Sequence, residues 1–332
     1  MRSSLSIADR RAVSAARPVV GPGADRHWLS REEAIMGTAI RVELWSDERE
    51  AGEAAMQGVI DEMHRIDREM SPFRPDSALS RINREAAAMP VPISDEMLWL
   101  IARSIEFSEL SGGAFDITYA SVGCLYDYRQ RIKPSAAAIA GARAAVGYTN
   151  LILDRKARTV RFARDSVRID LGGFAKGHAV DNAAVILRRC RNAIVSAGGD
   201  SRVIGDRRGR PWTIGIAHPR RPGEVVAVLP LEDVAISTSG DYERYFEHDG
   251  VRCHHLIDPK TGTSPCGVHS VTILAADGLT SEALSKSVFV MGVEKGLRLV
   301  ESQRGVDAVI VDAQGVLHYS TELLAGGPQT RQ

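Results

Sequence analysis

The stretch RIDLGGFAKGHAVD, residues 168–181, changes its hydrophobic period in the middle. Val167, Ile169 and Leu171 alternate with Arg168 and Asp170, the period-2 pattern of a half-buried strand. Val180, Ala183, Ala184 and Leu187 recur at helical spacing, so the pattern predicts a strand that turns into a helix at Gly172-Gly173. Such a junction leaves backbone N–H groups free at a helix start, and Lys176 stands within the first turn, an arrangement suited to a phosphate. Neither G-x-x-x-x-G-K-[ST] nor G-x-G-x-x-G is present. By itself the stretch leaves two readings open: an anion site, or a tight turn followed by a solvated lysine.

The rest of the chain narrows the class. Its 332 residues are 44% hydrophobic and 25% charged, ordinary values for a globular chain long enough to bury a large core. Lys+Arg and Asp+Glu are equal at 42 each, so there is no electrostatic footprint for nucleic acid. The four cysteines contain no C-x-x-C pair, which argues against a zinc ribbon or a disulfide scaffold. No run approaches the roughly 20 apolar residues of a membrane span. Residues 1–28 hold arginines but no apolar signal core and no lipid-anchoring cysteine, and are expected to be a disordered leader. As written the chain reads as cytoplasmic; a misassigned start would make it periplasmic and membrane-associated.

Along the chain, 34–45 alternates into a strand with Met36-Gly37-Thr38 at its beginning. Met56, Val59, Ile60, Met63, Ile66 and Met70 form one helical stripe. The prolines of SPFRPDSALSRIN (71–83) forbid one continuous helix, and Ser94 opens another that Ser111-Gly112-Gly113 closes. A helical stretch (135–146) and a hairpin (151–163) precede the opening motif. The second half is richer in strands, with one helix over 279–292 and a hairpin over 306–320. Helices and antiparallel-looking strands without regular βαβ alternation predict an α+β fold. With no linker in view, residues 29–325 are expected to be one domain of two closely packed subdomains, followed by a tail at 326–332.

Taken singly, the remaining motifs are modest. In CHHLID, adjacent residues on a strand point to opposite faces, which discounts a Cys253-His254-His255 metal site. Asp200 reads as a turn-former and the hydroxyls of STSGDYERY as caps. Their order is specific, however. Met36-Gly37-Thr38, SPFRPDSALSRIN, GGAFDIT, DLGGFAKGHAVD, SAGGD, STSGDYERY and HLIDPKTG together resemble the ApbE family of FAD:protein FMN transferases, from about Met36 to Tyr319.

The resemblance implies an ApbE-like α+β fold with a flavin cleft between the two subdomains. It also implies a reaction that transfers the FMN half of FAD to a Thr or Ser hydroxyl of an acceptor protein and releases AMP. It carries FAD contacts onto Met36, Phe73, Ala114, Phe115, Asp116, Asp170, Lys176, Leu256 and Ile257. By chemistry His255 is the proton acceptor, and Asp241 is placed to orient it or the incoming hydroxyl. The family's Mg²⁺ would fall to Glu282, Ser285 and the Gly173 carbonyl. In SEALSK, Glu282 stands for the family's aspartate and Lys286 where a threonine would supply a hydroxyl; an ammonium cannot ligate a cation. A one-residue shift would instead make Ser285 or Ser287 the ligand. Two alternatives to the transferase follow: a non-enzymatic FAD-binding protein with a degraded metal site, and a pyrophosphatase giving FMN and AMP.

Overall fold

The structure is a computed structural model and describes residues 28–326. The expected leader, all but Trp28, and the last residues of the tail lie outside the described residues. Eight strands form one antiparallel sheet in the spatial order Trp28–Ile35, Thr38–Trp45, Ala193–Ala197, Asp200–Ile204, Ala235–Gly240, Val268–Ala275, Asp307–Asp312 and Leu317–Tyr319. Trp28–Ile35 was not expected as a strand. It is the outer arm of a hairpin whose turn is Met36-Gly37, both at positive φ, 54° and 71°. That primed-turn geometry matches the right-handed twist of the paired strands.

The long helix Arg49–Met70 buries the whole expected stripe, from Met56 to Met70. The helices at 78–85 and 95–110 start where serines cap them: Ser77 accepts from Ser80 N at 3.0 Å and Ser94 from Met97 N at 3.1 Å. A three-stranded sheet (Val91–Pro92, Thr159–Phe162, Leu151–Asp154) and the hairpins Trp212–Ala217/Val225–Leu231 and Tyr245–His248/Val251–His254 complete the α+β fold. One core runs without a break from Ile40 and Val42 in the main sheet to Val160 and Phe162 in the small one. Among the described residues no helix is long and apolar enough to cross a membrane.

The opening stretch departs from expectation in an instructive way. Val167, Ile169 and Leu171 are buried as the alternation requires, but 167–171 joins no sheet. Side chains replace the missing strand neighbour. The Asn83 amide donates to Ile169 O at 2.9 Å and accepts from Ile169 N at 2.8 Å, as a paired strand would. Ser121 Oγ accepts from Arg168 N at 2.9 Å, and Ile117 O from Asp170 N at 3.0 Å.

The helix Ala175–Ile186 then crosses the helix Gly278–Met291 at a pair of glycines. A Cβ at Gly177 would stand 2.2 Å from Gly278 O, and one at Gly278 would stand 2.6 Å from Gly177 O. No other residue fits either position without separating the helices. Asp181 on the first helix accepts from Gly278 N at 2.7 Å and Leu279 N at 2.9 Å, capping the second. This crossing brings residues 176 and 282 face to face.

Candidate active site

At the crossing lies a buried charge cluster. Lys176 Nζ contacts Glu282 Oε1, lies 2.8 Å from Asp200 Oδ2 and donates to Gly172 O at 3.2 Å. Glu282, 0% exposed, also accepts from Gly177 N at 2.7 Å and from Lys286 Nζ at 3.1 Å. Two ammoniums thus face two carboxylates, as burial of charge demands. Burial pushes the Lys176 ammonium towards neutrality, but Asp200 and Glu282 outweigh it and raise its pKa. Burial likewise opposes ionisation of Asp200, and the positive charges of Lys176 and Lys286 reverse that, leaving its pKa lowered.

This arrangement alters the expected role of Lys176. Its three N–H donors are met by Glu282, Asp200 and the Gly172 carbonyl. Three junction amides are committed as well: Gly172 N donates to Asp170 Oδ1 at 2.7 Å, and Phe174 N and Ala175 N donate to Leu171 O. The lysine is an internal clamp. Asp200, which sequence reasoning took for a turn-former, is its partner and is 2% exposed. The signal was available: a lysine pinned between a buried segment and a helix needs a carboxylate.

His255 sits in a positive environment. Burial first, then the charges of Lys286, Arg244 and Lys176, lower its pKa to about 3, so the ring is neutral at physiological pH. Its Nδ1 is buried without a partner. Arg244 was also missed. Among the described residues its guanidinium pairs with no carboxylate, yet it bears electrostatically on both His255 and Asp170 and lies against the Met36-Gly37 turn. Asp170, whose pKa burial raises, also accepts from Tyr119 Oη at 3.4 Å.

Asp241 does not reach His255. Its carboxylate takes a two-pronged ion pair from Arg220, at 2.7 and 2.5 Å, with His269 at 3.4 Å and Arg252 at 3.5 Å around it. The fork geometry of arginine outcompetes an imidazole for a carboxylate, so of the two expected roles Asp241 does not take that of orienting His255.

The remaining expected contacts divide by exposure. Phe73 is 84% exposed and presents a free ring face. Met36 is half-buried, at a left-handed φ that costs about 1 kcal/mol or more for a residue with a side chain. Ala114 and Phe115 are buried, the Phe115 ring against Phe107 and Phe174 at centroid distances of 6.2 and 5.5 Å. Phe115 is therefore packing, not a stacking platform. Asp116 spends both oxygens on Thr118 N, Thr118 Oγ1 and Tyr148 N, at 2.8, 2.6 and 2.7 Å. Leu256 belongs to the main core and Ile257 to a smaller one beside Phe246.

The residues do not fit a Mg²⁺ ion. Octahedral coordination needs several free oxygens at about 2.0–2.1 Å. Both Glu282 oxygens are engaged, by Lys176, Lys286 and Gly177 N. Ser285 Oγ is held by Ser239 Oγ and Glu282 O, each at 2.8 Å, and Ser287 Oγ bonds back to Ala283 O. The Lys286 stem lies along Gly173, with Cε 3.5 Å from where a Cβ would stand.

Comparison with known proteins agrees with this architecture. Residues 36–310 match the ApbE family. The chain is 33% identical over 304 residues to the FAD:protein FMN transferase of Treponema pallidum, covering 85% of this chain and 84% of that one. It is 35% identical over 250 residues to the Haemophilus influenzae FAD:protein FMN transferase, covering 71% and 72%. The crystal structure of the Thermotoga maritima ApbE protein superposes with a TM-score of 0.84 at 35% identity, covering 91% of this chain and all of that one. On sequence and fold together, the chain belongs to the ApbE family.

Proposed function

We propose that the protein transfers the FMN half of FAD to a hydroxyl of an acceptor protein and releases AMP. The observation that carries this reading is the His255 imidazole, its Nδ1 buried without a partner, in the field of Lys286 and Arg244. A displacement at phosphorus needs a proton acceptor for the nucleophile and positive charge for the phosphate oxygens, and both converge here. A Thr or Ser side chain of the acceptor supplies the hydroxyl. Its oxygen bonds to the flavin-side phosphorus while its proton passes to His255. The bond from that phosphorus to the bridging oxygen breaks, and AMP leaves with the bridging oxygen and its electron pair.

The low pKa of His255 in the free protein fits this sequence of events. The dianionic pyrophosphate offsets the cations that depress the imidazole, so binding FAD raises its basicity where it is needed. Phe73 offers a face on which a flat ring can stack. The test is incubation with FAD and candidate acceptor proteins, followed by mass spectrometry of the acceptor and assay of AMP. A flavin-phosphate mass gain on Thr or Ser with matching AMP is expected. AMP without a mass gain identifies a pyrophosphatase, and FAD bound without AMP identifies a binding protein; either refutes the transferase.

A further inference from the structure

We infer that the Lys286 ammonium, together with the Arg244 guanidinium, supplies the positive charge that a divalent cation would bring to the FAD pyrophosphate, so that FAD binding and turnover here need no Mg²⁺. The inference rests on the transferase reading above and goes beyond it. Lys286 lies four residues after Glu282 on one helix, so both side chains share a face, and Nζ donates to Oε1 at 3.1 Å. Its stem covers Gly173. The ammonium therefore overlies two of the three groups from which a cation site would be built, and the third, Ser285, has its hydroxyl satisfied elsewhere.

The placement is fixed. The Lys286 side chain is 17% exposed, and Glu282 and Asp200 hold its charge from the protein side. Its stem runs along Gly173 of the glycine junction, and its charge is felt at His255. A fixed cation in a water-poor site stabilises developing phosphate charge without reorganising. Two monovalent cations, Lys286 half-buried and Arg244 exposed, match the total charge of one Mg²⁺. An ammonium is a compact point charge with three donors, and where burial has stripped its water it can donate directly to phosphate oxygens. The bonds formed and broken are those of the transfer above. Lys286 stays protonated throughout and exchanges no proton.

The test begins with chelator-stripped wild-type protein. FAD binding is measured by flavin fluorescence in EDTA and in excess Mg²⁺, and Mg²⁺ alone is titrated calorimetrically into the protein without FAD. The expected result is a Kd for FAD that changes less than about twofold between the two conditions, with no Mg²⁺ isotherm. Lys286→Thr is expected to lose about tenfold or more in metal-free FAD affinity, to recover it with Mg²⁺, and to show Mg²⁺ binding of its own. Lys286→Arg, which keeps the charge, retains metal-free binding. A wild-type protein that binds Mg²⁺ on its own, or whose FAD affinity falls tenfold on chelation and returns with Mg²⁺, overturns the inference. Acceptor labelling is scored separately: metal-free FAD binding without labelling rejects the transferase reading alone, and labelling with strict Mg²⁺ dependence rejects the cation substitution alone.

Discussion

Replacing Lys176 with methionine tests whether this lysine is an internal clamp or a phosphate contact. Methionine keeps most of the stem and removes the charge. Glu282 retains Lys286 and Gly177 N as partners, so the stranded group is Asp200, 2% exposed and with its Oδ1 already unpartnered. Breaking one partner out of a buried ion pair costs about 3–5 kcal/mol. Lys176 is itself 22% exposed, which puts the expectation at the lower end, about 3 kcal/mol at neutral pH. The pH dependence has a definite sign. The lowered pKa of Asp200 means that its stabilisation is full above the ordinary aspartate range and is lost as pH falls through the folded value. The gap between wild type and Lys176→Met is therefore widest near neutrality and narrows in acid, where a stranded Asp200 takes up a proton. Urea denaturation at pH 7 and pH 4 reads both quantities from the midpoint at constant slope. Adding Asp200→Asn to the variant removes the stranded charge and should restore a large part of the loss. A Lys176→Met protein within about 1 kcal/mol of wild type at pH 7 would refute the clamp.

His255→Ala should leave FAD binding in place and lower AMP release by roughly two to four orders of magnitude. Because the free imidazole titrates near 3, kcat/KM of wild type should show no acid limb from this group between pH 8 and pH 5; a limb near the ordinary histidine value, traced to His255, would contradict the cationic surroundings described above. Arg244→Ala should weaken FAD binding about tenfold and reduce its salt sensitivity, with stability within about 0.5 kcal/mol of wild type because among the described residues the exposed guanidinium pairs with no carboxylate; unchanged affinity would remove Arg244 from the proposed FAD site. Gly177→Ala must push apart two helices whose backbones touch, so a loss of about 1–3 kcal/mol is expected on thermal unfolding, and a neutral result would show the crossing to be loose.

Local features were the most legible. Ser94 and the glycine stop at 112–113 marked helix ends because capping is decided within a few residues, whereas the short helix behind Ser77 was not expected within a stretch broken by prolines. The ordered motifs carried the family across most of the chain. What could not be read was any partner chosen by the fold. The 167–171 alternation is real, yet its hydrogen bonds come from Asn83, Ser121 and Ile117, from other parts of the chain. Asp200 and Lys176 meet only because the main sheet passes beneath the helix crossing. Asp241 stands beside the Thr238-Ser239-Gly240 turn, and no pattern revealed that Arg220 would claim its carboxylate. Phe115 and Asp116 sit in a motif associated with a ligand, but burial and hydrogen bonding turn their side chains into the protein.

The side-chain pairing of Asn83 with Ile169 has a dynamic consequence. A segment held in a sheet opens only when the sheet opens, whereas 167–171 is fastened by single latches on separate elements. Its amides should exchange with deuterium on the schedule of the eight-residue helix Ala78–Glu85 that carries Asn83, faster than those of the eight-stranded sheet. That helix follows directly on the loop bearing the exposed Phe73, so 167–171 and that loop are tied to one element. The segment leading into the glycine junction is thus expected to open locally while the sheet behind it stays closed.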